Sequence, residues 1–372
     1  MIDKLKDLYT NALQNSDTTI QYILYLIIFV LIVIIIMFAK NTLNMKDNNC
    51  NKLNKIYTNF PTISPIGSNA SVLNNSLRDF YIKTAYNCCS PGYFKNSFVD
   101  LCALKKIIQQ GARCLDFEIY SVDDEPVIAT STESEFDIKE TYNSVHFSKA
   151  MGMVRDYAFS FATCPNPTDP LILHFRIKSN NKAIYKKMAR SIQKYLESYV
   201  LDKDYSYESD GHNLSALPIK NFLNKVIIVV DKSNPLFEDT ELNEFVNFSS
   251  NAVFMRSLRT DDVIYTHDMD ELINYNKKNM SIVLPNVDYK DNNPDSSTVM
   301  KFGCQMIGMS FQNFDANMEF YDLFFDKEGY AFVLKPDPLR YIPTTIDMPK
   351  SPSKNISYGT RKIKSDYYNF DI

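Results

Sequence analysis

Gly111-Ala112-Arg113-Cys114-Leu115-Asp116-Phe117-Glu118-Ile119-Tyr120 and Gly303-Cys304-Gln305-Met306-Ile307-Gly308-Met309-Ser310-Phe311-Gln312 decide how this chain is read. In the first stretch apolar and polar residues alternate. Period-two geometry puts Cys114, Asp116 and Glu118 on one face of a strand, with Leu115, Phe117 and Ile119 on the other. Cys114 and Cys304 fall inside buried strands, where a free cysteine behaves as a small apolar residue.

Working outward, short apolar runs alternate with amphipathic ones over residues 72–343. Strands are expected at 112–119, 126–129, 171–177, 226–231, 304–311 and 330–334, and helices at 101–110, 145–160 and 182–199. In the last helix Ile184, Met188 and Ile192 recur every four residues, with Lys186, Lys187 and Arg190 between them. Strands alternating with helices point to an α/β architecture with a parallel sheet. The pattern alone leaves open whether the sheet closes into a barrel or stays doubly wound.

The 372 residues are 45% hydrophobic and 23% charged, as in an ordinary packed protein. A net charge of −4 argues against a nucleic-acid partner. The seven cysteines include no C-x-x-C pair and no Cys/His spacing suited to zinc, and they read as reduced thiols. Asn-x-Ser sequons start at Asn69, Asn74, Asn213, Asn247, Asn279 and Asn355, but so Asn-rich a chain produces them by chance.

Residues Ile20 to Ala39 carry no charge until Lys40. About 20 residues at ~1.5 Å rise span a ~30 Å hydrocarbon core. Tyr22 and Tyr25 at one end and Lys40 at the other suit the two interfaces. The run is too long for a signal peptide and lacks a small-residue cleavage site, so a single-pass anchor is expected. Lys4 and Lys6 flank one side, and Lys40, Lys46, Lys52 and Lys55 the other, which assigns the C-terminal part to the cytosol. The expected organisation is a flank (1–19), the span (20–39), a Pro- and Asn-containing tether (40–71), the α/β domain (72–343) and a polar tail (344–372). The tail carries Lys350, Lys354, Arg361, Lys362 and Lys364 among tyrosines and reads as a solvated terminus.

Several stretches together resemble the X and Y catalytic halves of phosphoinositide-specific phospholipase C. Thr84-Ala85-Tyr86-Asn87 resembles the segment carrying the first catalytic His and a calcium-ligating Asn. Residues 104–119 resemble the helix and strand bearing two acidic calcium ligands. Glu125-Pro126-Val127-Ile128-Ala129-Thr130-Ser131 resembles the stretch holding the second His. Residues 169–176 resemble the strand of a further acidic ligand, and 224–231 the strand of the phosphate-reading lysines. Residues 303–315 and 329–340 resemble the closing strands. The resemblance implies a TIM-type (β/α)8 barrel, X-like over 72–231 and Y-like over 242–343. It extends to degenerate phospholipase-like proteins of large DNA viruses, which implies a virion membrane as one setting.

The resemblance also exposes what is missing. In that family one His is general base and the other general acid, while calcium stabilises charge on the phosphoryl oxygens. Here Tyr86 and Thr130 stand at the two His positions. A tyrosine of ordinary pKa, about 10, cannot shuttle protons near neutrality. Asn87, Asp116 and Glu118 keep a vestigial calcium set, with Asp and Glu exchanged, but Arg176 stands where a further acid is expected. By alternation His174, Arg176 and Lys178 share a face, so Arg176 and Lys178 are the candidate anion-binding groups. Val229 and Asp231 replace the lysines, and no counterpart of the substrate Arg is apparent before Gly303.

Two readings follow. In the first, Arg176 pairs with the acids and plugs the site of a membrane-anchored pseudoenzyme that needs no cofactor and acts as a binding or structural module. In the second, Asp116, Glu118, Arg176 and His174 form a rebuilt phosphodiesterase site, with calcium as cofactor and phosphoinositide as substrate. A phosphoinositide headgroup is a candidate partner in either case.

Overall fold

The structure is a computed structural model that describes residues 2–206, 213–287, 292–343 and 359–372. Its contacts divide into two units, Met1–Arg340 and Tyr341–Ile372. Lys350, Lys354 and the sequon at Asn355 lie outside the described residues.

The first unit opens with one long helix, α1 (Ile2–Ile56). The strands that follow are β1 (Phe80–Ala85), β2 (Cys114–Val122), β3 (Glu125–Ile128), β4 (Val145–His146), β5 (Leu171–Ile177), β6 (Val226–Asp231), β7 (Phe248–Ser250), β8 (Met255–Arg259), β9 (Met280–Leu284), β10 (Met306–Met309) and β11 (Phe332–Leu334). Between them run α2 (Leu101–Gln109), α3 (Phe147–Ala158), α4 (Lys182–Leu196), α5 (Thr260–Ile264), α6 (Met269–Lys278), α7 (Ser296–Lys301) and α8 (Ala316–Glu328).

Eight parallel strands pair in the order β7-β6-β5-β2-β1-β10-β9-β8, a nearly closed barrel whose free edges are β7 and β8. The β3 strand folds back on β2, and β11 pairs antiparallel with β1. Both quoted stretches begin where a helix turns into a barrel strand. Gly111 after α2 and Gly303 after α7 each hold φ at +73°, a left-handed conformation that costs a side-chain-bearing residue energy. The strands they launch are buried on both faces, as parallel barrel strands are. Outward-pointing Phe117 and Phe175 pack against each other, and Phe147 of α3 packs on Phe175.

The expected strands at 171–177 and 226–231 match β5 and β6 to the residue. The pattern missed β1, β7, β8 and β9, which are short or carry charge, and also α6 and α8.

Two expectations are corrected. Residues 40–56 are not a tether: α1 runs on without a Gly or Pro until Ile56, burying Leu53, and Tyr57 follows it into the core. The stretch beyond it is docked too. Ser64 N–H donates to Gly329 O at 2.8 Å, and Ile66 N–H donates to buried Asp169 at 2.7 Å. The cysteines are also not all reduced, because continuing the helix brings Cys50 beside α2 and into a disulfide with Cys102.

In the second unit, β12 (Lys362–Lys364) and β13 (Asn369–Asp371) form an antiparallel hairpin with every residue exposed. The expected polar tail thus includes a short folded hairpin among its described residues.

Candidate active site

Parallel pairing between β2 and β5 sets Asp116 beside His174 and Glu118 beside Arg176. All four side chains point into the barrel and are buried. Arg176 Nε donates to Asp116 Oδ1 at 3.0 Å and Nη2 to Asp116 Oδ2 at 2.9 Å. The same Nη2 donates to Asn87 Oδ1 at 2.8 Å, and Nη1 lies 3.3 Å from Glu118 Oε2 as an ion pair. His174 Nδ1 is 2.7 Å from Asp116 Oδ1, and its Nε2 is 3.0 Å from Ser250 Oγ on β7. Tyr120 closes the cluster, donating from its hydroxyl to Glu118 Oε1 at 2.7 Å.

Burial by itself would raise the pKa of Asp116. The Arg176 guanidinium and the His174 hydrogen bond outweigh it and hold the carboxyl well below the usual range. Asp116 is therefore a fixed anion and Arg176 a fixed cation. Burial raises the Tyr120 hydroxyl, reinforced by Glu118, so Tyr120 stays a proton donor.

The calcium fit fails on this geometry. Asn87 and Asp116 spend their oxygens on hydrogen bonds from the guanidinium, and Glu118 pairs with it. Calcium takes about six to eight oxygen ligands. It would have to displace a buried cation from the only acids of the set.

Tyr86 and Thr130, the expected counterparts of the family's two histidines, are equally committed. The Tyr86 ring lies under the Arg176 guanidinium, with 4.9 Å to its centroid, and meets Phe94 edge-on. Thr130 is buried and donates to Phe94 O at 2.8 Å. Neither side chain is an imidazole, and packing or a hydrogen bond already holds each one.

A cavity of about 170 Å³ opens beside Arg176. Lys178, Asp231, Asn234, Ser257, Arg259 and Asp262 contribute to its wall. Lys178 Nζ donates to Ser134 O at 2.6 Å, and burial lowers its pKa. Arg259 was missed by sequence reasoning. Its strand, β8, is too polar to be expected from the pattern, and it brings Ser257, Leu258 and Arg259 to the cavity wall. Ser250 was missed too, because its role depends on a strand pairing far from His174 in sequence. Of the sequence-predicted residues, Asn87, Asp116, Glu118, His174 and Arg176 come together as one ion-pair cluster with the Tyr86 ring against it, whereas Thr130 and Lys178 bond to Phe94 O and Ser134 O.

The profile of the phosphatidylinositol-specific phospholipase C X domain matches residues 73–233, and that of the Y domain matches 231–338. The chain belongs to the phosphatidylinositol-specific phospholipase C family. Among solved structures, the PLC21 of S. officinalis is similar, with a TM-score of 0.61 and 18% identity over 76% of this chain and 39% of that one. The PLC21 of L. pealei gives 0.61 and 17% over 75% and 39%. The chain thus spans about two fifths of those phospholipases, and at that identity they show the fold alone. No curated protein matches the chain.

Proposed function

We propose that the chain is a membrane-anchored phospholipase C barrel without phosphodiesterase activity, serving as a binding or structural module. The observation that carries this reading is the capture of Asn87, Asp116 and Glu118 by Arg176. Loss of general acid and base help typically costs ~10²–10⁴-fold per group. With both His positions and the metal set gone, little rate enhancement remains. The cavity beside Arg176, with Lys178 and Arg259 on its wall, supports retained binding of an anionic headgroup such as a phosphoinositide.

Anchoring rests on residues 20–39 of α1, whose large apolar side chains are exposed, with no barrel packed on them. The Cys50–Cys102 disulfide supports a barrel on the oxidising side of that membrane. It outweighs the lysine bias, because Lys46 is already 3.6 Å from Asp100 in an ion pair.

The test is hydrolysis of labelled phosphatidylinositol and its 4,5-bisphosphate by the full chain in mixed micelles, with calcium and with chelator. Folded protein should give no turnover in either. Turnover that disappears in Arg176→Ala would overturn the reading and make Arg176 catalytic.

A further inference from the structure

Residues 40–57 couple the span to the barrel without a joint. On α1 the large apolar side chains from Ile20 to Phe38 are exposed. Thr42, Met45, Lys46, Asn49, Cys50, Leu53 and Ile56 are then half-buried or buried, at the three- and four-residue spacing of one helix face. Thr42 follows Ala39 by three residues, or about 5 Å of helix rise. The headgroup layer on each side of a bilayer is itself about 5–7 Å thick. The barrel therefore meets the helix at the level of the headgroups.

The direction of docking fixes which end of the barrel arrives there. Contacts between α1 and α2 advance together along both chains. Lys46 pairs with Asp100, and Cys50 is bonded to Cys102. Lys106 Nζ then donates to Tyr57 O at 3.1 Å, and Gln110 Nε2 to Asn59 O at 2.9 Å. The two segments run parallel. Asp100 caps the N-terminus of α2, which lies at the C-terminal ends of the barrel strands. The cavity is at the same end, lined from the ends of β5, β6, β8 and β9. The loops of that end also expose Tyr93, Ile138, Val287 and Phe314.

We propose that α1, stapled by Cys50–Cys102, holds the barrel mouth-down, so that the cavity and this rim engage the bilayer that α1 itself spans. The partner of the mouth is then phospholipid in the same membrane, and a folded protein approaching from solution cannot reach it. This rests on the membrane-anchored reading above.

The experiment places single cysteines at Tyr93 and at Phe161, which lies in the loop leading into β5 at the opposite end of the barrel and is 69% exposed. The native unpaired cysteines, Cys88, Cys89, Cys114, Cys164 and Cys304, are all buried, so a maleimide fluorophore marks only the new site. The full chain is reconstituted in phosphatidylcholine vesicles containing headgroup spin-labelled lipid. Loss of fluorescence is expected for Tyr93→Cys and not for Phe161→Cys. A Cys50→Ser/Cys102→Ser background should reduce the difference. Equal quenching at both sites, or stronger quenching at Phe161, overturns the orientation. Vesicle flotation separates the two proposals: protein that fails to float sinks the anchoring, whereas protein that floats with an unquenched Tyr93 site sinks only the orientation.

Discussion

Arg176 grips Asp116 with two hydrogen bonds, Nε to Oδ1 at 3.0 Å and Nη2 to Oδ2 at 2.9 Å, with both side chains buried inside the barrel. Asn87 and Glu118 surround the same guanidinium, so one side chain occupies the oxygens of all three residues.

Arg176→Ala should therefore be far more damaging than an ordinary core truncation. It leaves Asp116 and Glu118 buried without a cation, and breaking a buried pair this way costs about 3–5 kcal/mol. Urea unfolding at neutral pH measures the loss. A change below about 1 kcal/mol, the scale of an exposed pair, would mean that water reaches the cluster.

The same pair predicts an acid limb. The folded Asp116 pKa is depressed, so its stabilisation is present above the unfolded value, about 3.9, and is lost as pH falls toward the folded value. Unfolding free energy should decline below about pH 4, and an Asp116→Asn variant should show a shallower decline. Identical slopes in the two proteins would remove Asp116 as the source.

Restoring the histidines should not restore catalysis. Tyr86→His/Thr130→His is expected to stay at background phosphatidylinositol hydrolysis, since Arg176 still holds the metal ligands. Calcium should raise the melting temperature only when Arg176→Glu is added to that double variant. A calcium shift with Arg176 intact would contradict the failed metal fit.

Lys335 gives a second, independent pH signature. Its ammonium is buried, donating to Asn276 O at 2.9 Å and Gly303 O at 3.2 Å. Burial pushes its pKa down to about 7, with Asp79 opposing. The cost of burying the charge is thus full below about pH 7 and fades as pH rises toward the unfolded value of about 10.4. Stability should climb across that window, and Lys335→Met should flatten the climb in urea titrations at several pH values.

The disulfide closes a 52-residue separation. In the chain-entropy account such a link contributes about 4 kcal/mol. Reducing it, or replacing both Cys50 and Cys102 by Ser, should lower the unfolding midpoint, and the oxidised chain should migrate faster on a non-reducing gel. No mobility difference would show that the link does not form.

Much of this was legible in the chain itself. The strand carrying Asp116 and Glu118, the helix carrying Ile184, Met188 and Ile192, and the apolar run from Ile20 are local patterns, because period and hydrophobicity belong to neighbouring residues. The candidate residues Tyr86, Thr130, His174 and Arg176 were legible through the resemblance of the motifs around them to the family's, not through period or hydrophobicity. What the sequence could not decide is which of these side chains meet. Asp116 and Arg176 are 60 residues apart, and their contact follows from the β2–β5 register. His174 finds Ser250 across 76 residues, and Arg259 reaches the cavity from a strand too polar to be expected. Cys50 meets Cys102 only because α1 does not stop at the end of its apolar run but continues to Ile56. Local periodicity specifies faces, whereas the pairing of distant faces is fixed by closing the barrel. The tertiary structure alone therefore decided that this site is shut by its own arginine.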